Sequence, residues 1–343
     1  MSARIIKVIA LAIGATFLLT ACDPPMPPEV RAALAEQSYT CEPGDTQLAA
    51  VAPVAAVAGD WQASVETNCP GMTITPVAEN APEAELQVGQ ANAGSAAYAT
   101  VPFAIDAVVI AVSLTDITQV NLSADAIAKI AAGQITSWDD PELAALNPNF
   151  SMPATQISYT NLLSAAQAAP LTDWLNRISG KDVSLGATAA KAGTMQTDGS
   201  LIVTTYSAAM NDGLQMVAIT AEVGSDGVVP ESGSIGSAAT MFTSKVSGGN
   251  VALNFDAKQK PIAPEGVAVA PAPYQALSVY NLYLTGTDSL KTRAAARYLL
   301  RQDSQGSLGL STVIGIPESL RVVALDVVSK GLPEPDLSAT PNQ

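Results

Sequence analysis

The residues in this chain able to do chemistry are few, and their types exclude more than they suggest. Histidine is absent from all 343 residues, which removes the commonest general base and the commonest zinc ligand together. Ser-His-Asp and Cys-His catalysis are excluded with it, so the chain reads as a non-enzyme without a cofactor or metal. Asp139, Asp140 and Glu142 stand close enough together to suggest a cation site. Their place before an apolar run makes them a helix start instead, with Asp140 as cap, Pro141 first and Glu142 at the positive end of the dipole. Two Asp-Gly pairs, in TDGS (197–200) and GSDG (224–227), lie between strand-like runs and are expected to be hairpin turns rather than ligand loops. A formal net charge of −15 argues against nucleic acid as a partner, which needs clustered Lys and Arg.

The elements that would position any site alternate in type. Strand-like runs occur at 72–78, 103–114, 155–160, 200–207, 214–220 and 276–284. Helical patterns lie between some of them. Ser123 caps one with Ile127, Ile130 and Ala131 on its apolar face and Gly133 at its end. A later one carries Leu290, Ala294, Tyr298 and Arg301 at nearly fourfold spacing. Strands alternating with helices imply an α/β architecture with open twisted sheets.

The N-terminus reads as an address. Arg4 and Lys7 precede an apolar run from Val8 to Leu19, and Leu19-Thr20-Ala21-Cys22 follows. The run is too short for a mature membrane span and has the layout of a secretory signal. Small residues directly before a cysteine resemble the bacterial lipoprotein signal, here 1–22, in which the cysteine (Cys22) is acylated and becomes the new N-terminus. A proline-rich tether is expected over 23–40. With Cys22 lipidated, Cys41 and Cys69 remain as a pair in an oxidising compartment, and a disulfide is the natural reading.

NLSADAIAKIAAGQITSWDDPELAALNPNFSMPATQIS (121–158) closely resembles a segment of the phosphate-binding proteins of bacterial ABC transporters. NCPGMTI (68–74), VPFAIDAVVIAVSL (101–114), YQALSVYNLYL and GIPESLR (315–321) extend the likeness along nearly the whole mature chain. The resemblance implies a two-lobed periplasmic-binding-protein-like α/β fold with two hinge crossings, near 105–114 and 272–284. Lobe 1 is expected over 41–108 plus 276–330, lobe 2 over 109–275 and a flexible tail over 331–343. It implies a phosphate ligand, an ABC permease as partner and a place on the extracytoplasmic face of the membrane, held there by the lipid anchor.

The residues of the family's phosphate grip do not follow. Stripping water from a multiply charged oxyanion is costly, so nearly every oxygen needs a donor, several of them charged. The family supplies an Arg-Ser-Asp-Gly-Ser-Gly-Thr loop; this chain has NLLSAAQ (161–167), with Asn161 at the arginine position. The Thr-Phe-x-x-Pro turn corresponds to AAVAP (49–53), the Gly-Ser turn to ENAP (79–82) with a like charge at Glu79, and the Ser-Asp to AGSAAYAT (93–100) without a carboxylate. Thr160, Asn161 and Ser164, at a strand-to-helix junction, are the residues that could still touch a ligand. Ser164 with Gln167 also fits a capping box, and an unassisted helix end offers an anion only about 0.3 to 1 kcal/mol. Two readings follow: a solute-binding lipoprotein resembling the phosphate-binding component of an importer, or a pseudo-binding protein that docks to a membrane or cell-surface partner without a small ligand. The apolar loop residues Leu162, Leu163, Ala165 and Ala166 favour a filled cleft in the second.

Overall fold

The longest apolar run among the described residues organises the fold. In a computed structural model, which describes residues 38–92, 96–187, 197–221, 224–263 and 267–333, this run becomes a strand of 17 residues buried continuously over 101–112. Cys22 and the expected signal, the tether up to 37 and the tail from 334 onward lie outside the described residues. Thr40–Leu332 form one folded unit, to which all of the following elements belong.

In chain order the first elements are β1 (Gly44–Ala50), α1 (Ala52–Ala55), α2 (Ala58–Asn68), β2 (Met72–Val77), β3 (Leu86–Gly89) and the long β4 (Ala97–Ser113). Next come β5 (Asn121–Ser123), α3 (Ala124–Ala131), α4 (Pro141–Leu146), β6 (Ser158–Asn161), α5 (Ala165–Ser179), β7 (Ser200–Thr205), α6 (Tyr206–Asn211), β8 (Gln215–Met216) and β9 (Ala218–Thr220). The chain continues through α7 (Ser232–Ala239), β10 (Phe242–Ser247), β11 (Asn250–Phe255), β12 (Leu277–Thr285), α8 (Leu290–Leu299), α9 (Gln302–Ser307), β13 (Ile314–Gly315) and α10 (Glu318–Val328).

One mixed sheet runs β10-β11-β4-β12-β3-β1-β2, with β13 also on β4. Within it β1 is parallel to β2 and β3, while β12 is antiparallel to β3 and β4. The far half of β4 pairs antiparallel with β7 and β8, and β7 pairs parallel with β6. β4 therefore belongs to two sheets at once, and β12 runs against its near half from Leu277↔Ala107 onward. A strand covered on both faces needs an apolar, β-branched sequence without alternation, and VPFAIDAVVIAV supplies it with one exception, Asp106. The β10–β11 hairpin falls within the stretch read from sequence as lobe 2, yet it joins β4 at Thr100, on the same sheet as β1.

Residues 133–148, which carry most of the resemblance, act as a structural clamp. Trp138 is fully buried and its indole N–H donates to the Gly199 carbonyl at 3.1 Å. Asp140 caps α4 by accepting from the Glu142 amide at 2.8 Å, and Glu142 pairs with Lys129. Asn147, buried, accepts from the Asn121 amide at 2.7 Å and donates to the Asn121 and Leu143 carbonyls. The expected cap of α3 also forms, Ser123 accepting from the Ala126 amide at 3.1 Å, with Gly133 in the left-handed region beyond its end.

Two sequence expectations need correcting. TDGS turns the chain into β7, but β6 and β7 are parallel, so the turn closes no hairpin between them. The GSDG turn does lie between antiparallel partners, Ile219 and Val228. In α8 the buried face is Arg293 to Ala296 with Tyr298 and Leu299, while Leu290 at the first turn stays exposed. The salt-bridged Arg293 is drawn inward because its guanidinium donates to the Val327 and Val328 carbonyls at the end of α10.

Cys41 and Cys69 are joined, tying the segment before β1 to the end of α2 across a separation of 28 residues. Closing a loop of that length lowers the entropy of the unfolded chain by the equivalent of about 3 to 4 kcal/mol. A Cys41→Ser, Cys69→Ser double variant is expected to lose about that much stability in urea unfolding, with a larger m-value because the released unfolded chain is less compact; a loss below about 1 kcal/mol would show that the reduced chain retains the loop by other contacts.

Candidate functional site

The carboxyl ends of β1, β2 and β3 point the same way, because these three strands are parallel to one another. Crevices outside the carboxyl ends of parallel strands are the usual ligand sites of open α/β sheets. Here the chain leaving β1 brings Val51, Ala52 and Pro53, the turn after β2 brings Glu79 and Asn80, and β3 with its exit brings Gln87 to Ala91. Gln167 from the first turn of α5, Thr205 at the end of β7 and Tyr280 from β12 complete the lining. The cavity has a volume of about 370 Å³, within the range of small-molecule clefts. Among the described residues lining it, Glu79 is the one formal charge.

Its floor is a buried polar network centred on Asp106, which has no solvent exposure. One carboxylate oxygen accepts from the backbone amides of Ala107 at 2.7 Å and Ser207 at 3.1 Å. The other accepts from the Ser207 hydroxyl at 2.6 Å and the Tyr280 phenol at 3.0 Å. Thr205 caps α6 by accepting from the Ala208 amide at 3.2 Å, and its hydroxyl lies 3.1 Å from that of Ser207. Of the two cavity-wall residues, Tyr280 is thus tied to the carboxylate directly and Thr205 through the Ser207 hydroxyl. Burial holds the Asp106 carboxyl above the usual carboxylate range, against the lowering effect of these four donors. Burial likewise raises the Tyr280 phenol, reinforced by the charges of Asp106 and Glu79.

The residues singled out from sequence sit beside this cavity and do not line it. Thr160 and Asn161 end β6, and Asn161 is buried. Its side chain accepts from the Leu163 amide at 3.0 Å and donates to the Gly186 carbonyl at 3.3 Å, which fixes the turn into α5. Ser164 forms the capping box with Gln167, whose side-chain oxygen accepts from the Ser164 amide at 3.1 Å and hydroxyl at 2.8 Å. Of the turns aligned from the resemblance, Pro53, Glu79 and Asn80 reach the cavity. The third contribution comes from Gln90 and Ala91, directly after β3, whereas residues 97–100 of AGSAAYAT belong to β4.

Asp106, Thr205 and Tyr280 escaped the reading of the sequence. A lone carboxylate inside the otherwise apolar FAIDAVVIAVSL was the available signal, since a buried charge must be surrounded by donors.

Asp106→Ala strands two backbone amides and two hydroxyls and is expected to lower stability by about 3 kcal/mol in chemical unfolding, with Asp106→Asn costing less. A carboxyl whose folded-state pKa lies above its unfolded value holds its proton more tightly when folded. The stability of the wild type relative to Asp106→Asn is therefore greatest at and below about pH 4 and declines as pH rises through the raised value. A difference that grows with pH across that window would contradict the burial assigned to this group.

Comparison with known proteins bears on the family and the fold. The model of the PBP superfamily domain matches residues 52–284. The phosphate-binding protein PstS 3 of Mycobacterium tuberculosis is 26% identical over 208 residues, 56% of each chain. PstS 2 of the same organism is 26% identical over 213 residues, 57% of each chain. The chain thus spans little more than half the length of the curated relatives it matches. Among solved structures, a periplasmic phosphate-binding protein (PfluDING) bound with phosphate is similar at a TM-score of 0.52 and 14% identity, over 81% of this chain and 92% of that one. A human phosphate binding apolipoprotein gives 0.51 and 12%, over 82% and 93%. With the family match taking in well over half its residues, the chain belongs to the PBP superfamily, and its fold is the two-lobed α/β fold of phosphate-binding proteins.

Proposed function

We propose that this chain is a lipid-anchored, extracytoplasmic solute-binding protein of an ABC importer, resembling the phosphate-binding component but not gripping phosphate. The observation that carries the proposal is the cavity itself. It stands at the carboxyl ends of β1, β2 and β3, where three separate turns converge, yet no Lys or Arg is among its described lining residues. A dehydrated phosphate needs charge-assisted donors on most of its oxygens, and micromolar capture corresponds to about 8 kcal/mol. Glu79 would oppose it. Relatives named as phosphate-binding proteins support the transport role, and Cys22 within Leu-Thr-Ala-Cys supports the anchor. The lobes are proposed as 41–108 plus 276–330 and 109–275, with the β10–β11 hairpin reaching back onto the first. No helix among the described residues is long and apolar enough to cross a membrane.

A second reading, a docking protein without a small ligand, is favoured by one feature. The turn at 161–164 is closed on itself, with Leu163 buried and Asn161 hydrogen-bonded.

Three measurements test the proposal. Inorganic phosphate at millimolar concentration is expected to raise the unfolding free energy by less than about 0.5 kcal/mol, where a ligand at a hundred times its dissociation constant gives about 2.7 kcal/mol. Native mass spectrometry of protein purified without refolding is expected to show a retained small solute; a bare chain, silent to every solute added, would leave the docking reading standing. Cys22→Ser is expected to abolish incorporation of labelled fatty acid and to move the protein from the membrane to the soluble fraction.

A further inference from the structure

The hydrogen-bonding polarity of the cavity wall identifies the class of solute it can hold. Resting on the solute-binding reading above, we infer that the cleft takes a small solute presenting a primary ammonium group on a short alkyl body.

Most of the polar hydrogens around the cavity are already engaged within the protein. The Tyr280 phenol gives its hydrogen to Asp106 at 3.0 Å, so it meets the cavity with oxygen lone pairs. Gln90 commits one of its two amide N–H bonds to the Ser278 hydroxyl at 2.5 Å and keeps its carbonyl oxygen as an acceptor. Gln87 directs its amide N–H groups to the Ala84 and Pro82 carbonyls at 3.3 and 3.5 Å. Glu79 brings a carboxylate, which accepts only, and no ion pair involving it is present among the described residues. Gln167 is the exception: its oxygen is held by Ser164, leaving its N–H groups free to donate. The wall is thus rich in acceptors and carries net negative charge, with Asp106 adding a second carboxylate beneath the floor.

An ammonium group offers three N–H donors and one positive charge, the complement of such a wall. A quaternary ammonium has no N–H to give, and it is usually held by several aromatic faces, whereas Tyr280 is the single aromatic residue in this lining. Val51, Ala52, Pro53, Val88 and Ala91 line the same cavity, and these apolar groups suit a short hydrocarbon body. An anion meets the like charge of Glu79 and the Tyr280 oxygen instead.

Three probes that share an alkyl body and differ in head group separate the possibilities: n-butylamine, n-butanol and butyrate, titrated into the purified full chain while thermal unfolding is followed. A saturable rise in Tm is expected with the amine and none with the alcohol or the acid. Glu79→Gln, an exposed substitution that the fold tolerates, is expected to raise the dissociation constant for the amine at least tenfold, and Gln90→Ala about threefold. Equal responses to amine and alcohol, or an amine response unchanged in Glu79→Gln, would overturn the ammonium assignment. So would silence towards the amine; if native mass spectrometry then reveals a retained solute without an amino group, the solute-binding reading survives and only the assignment falls. Silence together with a bare chain removes both.

Discussion

A carboxylate placed in the middle of a strand that is buried on both faces must be surrounded by donors, and the centre of this molecule is arranged around that requirement. Asp106 interrupts the apolar run of β4 and takes four hydrogen bonds, two from backbone amides and two from hydroxyls. Taking such a group out of water is expensive unless it is paired or fully hydrogen-bonded. Its partners come from elements far apart in sequence: Ser207 follows β7, and Tyr280 lies on β12. The need to satisfy one side chain therefore fixes the relative placement of β4, the start of α6 and β12. These are the elements that meet under the cleft. Tyr274 adds a second tie nearby, its phenol donating to the Val108 carbonyl at 2.9 Å while its ring packs edge-on against Trp174 of α5.

The consequence for recognition is a matter of which hydrogens are already in use. A phosphate site needs converging N–H and O–H groups. In this cleft, Tyr280 directs its hydrogen and Gln90 one of its two amide hydrogens into the protein, and the turn after β2 contributes Glu79. The same scaffold that presents donors in phosphate-binding proteins can present acceptors when side chains below the surface draw the donors away. Fold and ligand class are separable in general for clefts built on shared scaffolds.

Much of the fold is legible in the sequence because its signals are local. Ser123, Asp140 and the Ser164–Gln167 pair cap helices where their spacing says they should, and the apolar run at 103–114 is the core of the central strand. Strand partners are less legible, since they depend on contacts distant in sequence: TDGS has the composition of a hairpin turn but feeds a parallel pair. The site is the least legible part. Asn161 stands at the arginine position of the resemblance, but its short side chain finds its partners within its own turn and at Gly186, away from the cavity. The lining residues Thr205 and Tyr280 carry no motif; they matter because of a carboxylate that lies about a hundred or more positions away and gathers Ser207 and Tyr280 around it.

Because β4 is hydrogen-bonded to β12 at one end and to β7 at the other, it is not a flexible linker between two bodies. Each half of its length is a full member of a sheet, with no loop between the halves to absorb a rotation. Any widening of the mouth above Tyr280 has to be taken up as a small change of twist shared along many residues, in the manner of a torsion spring.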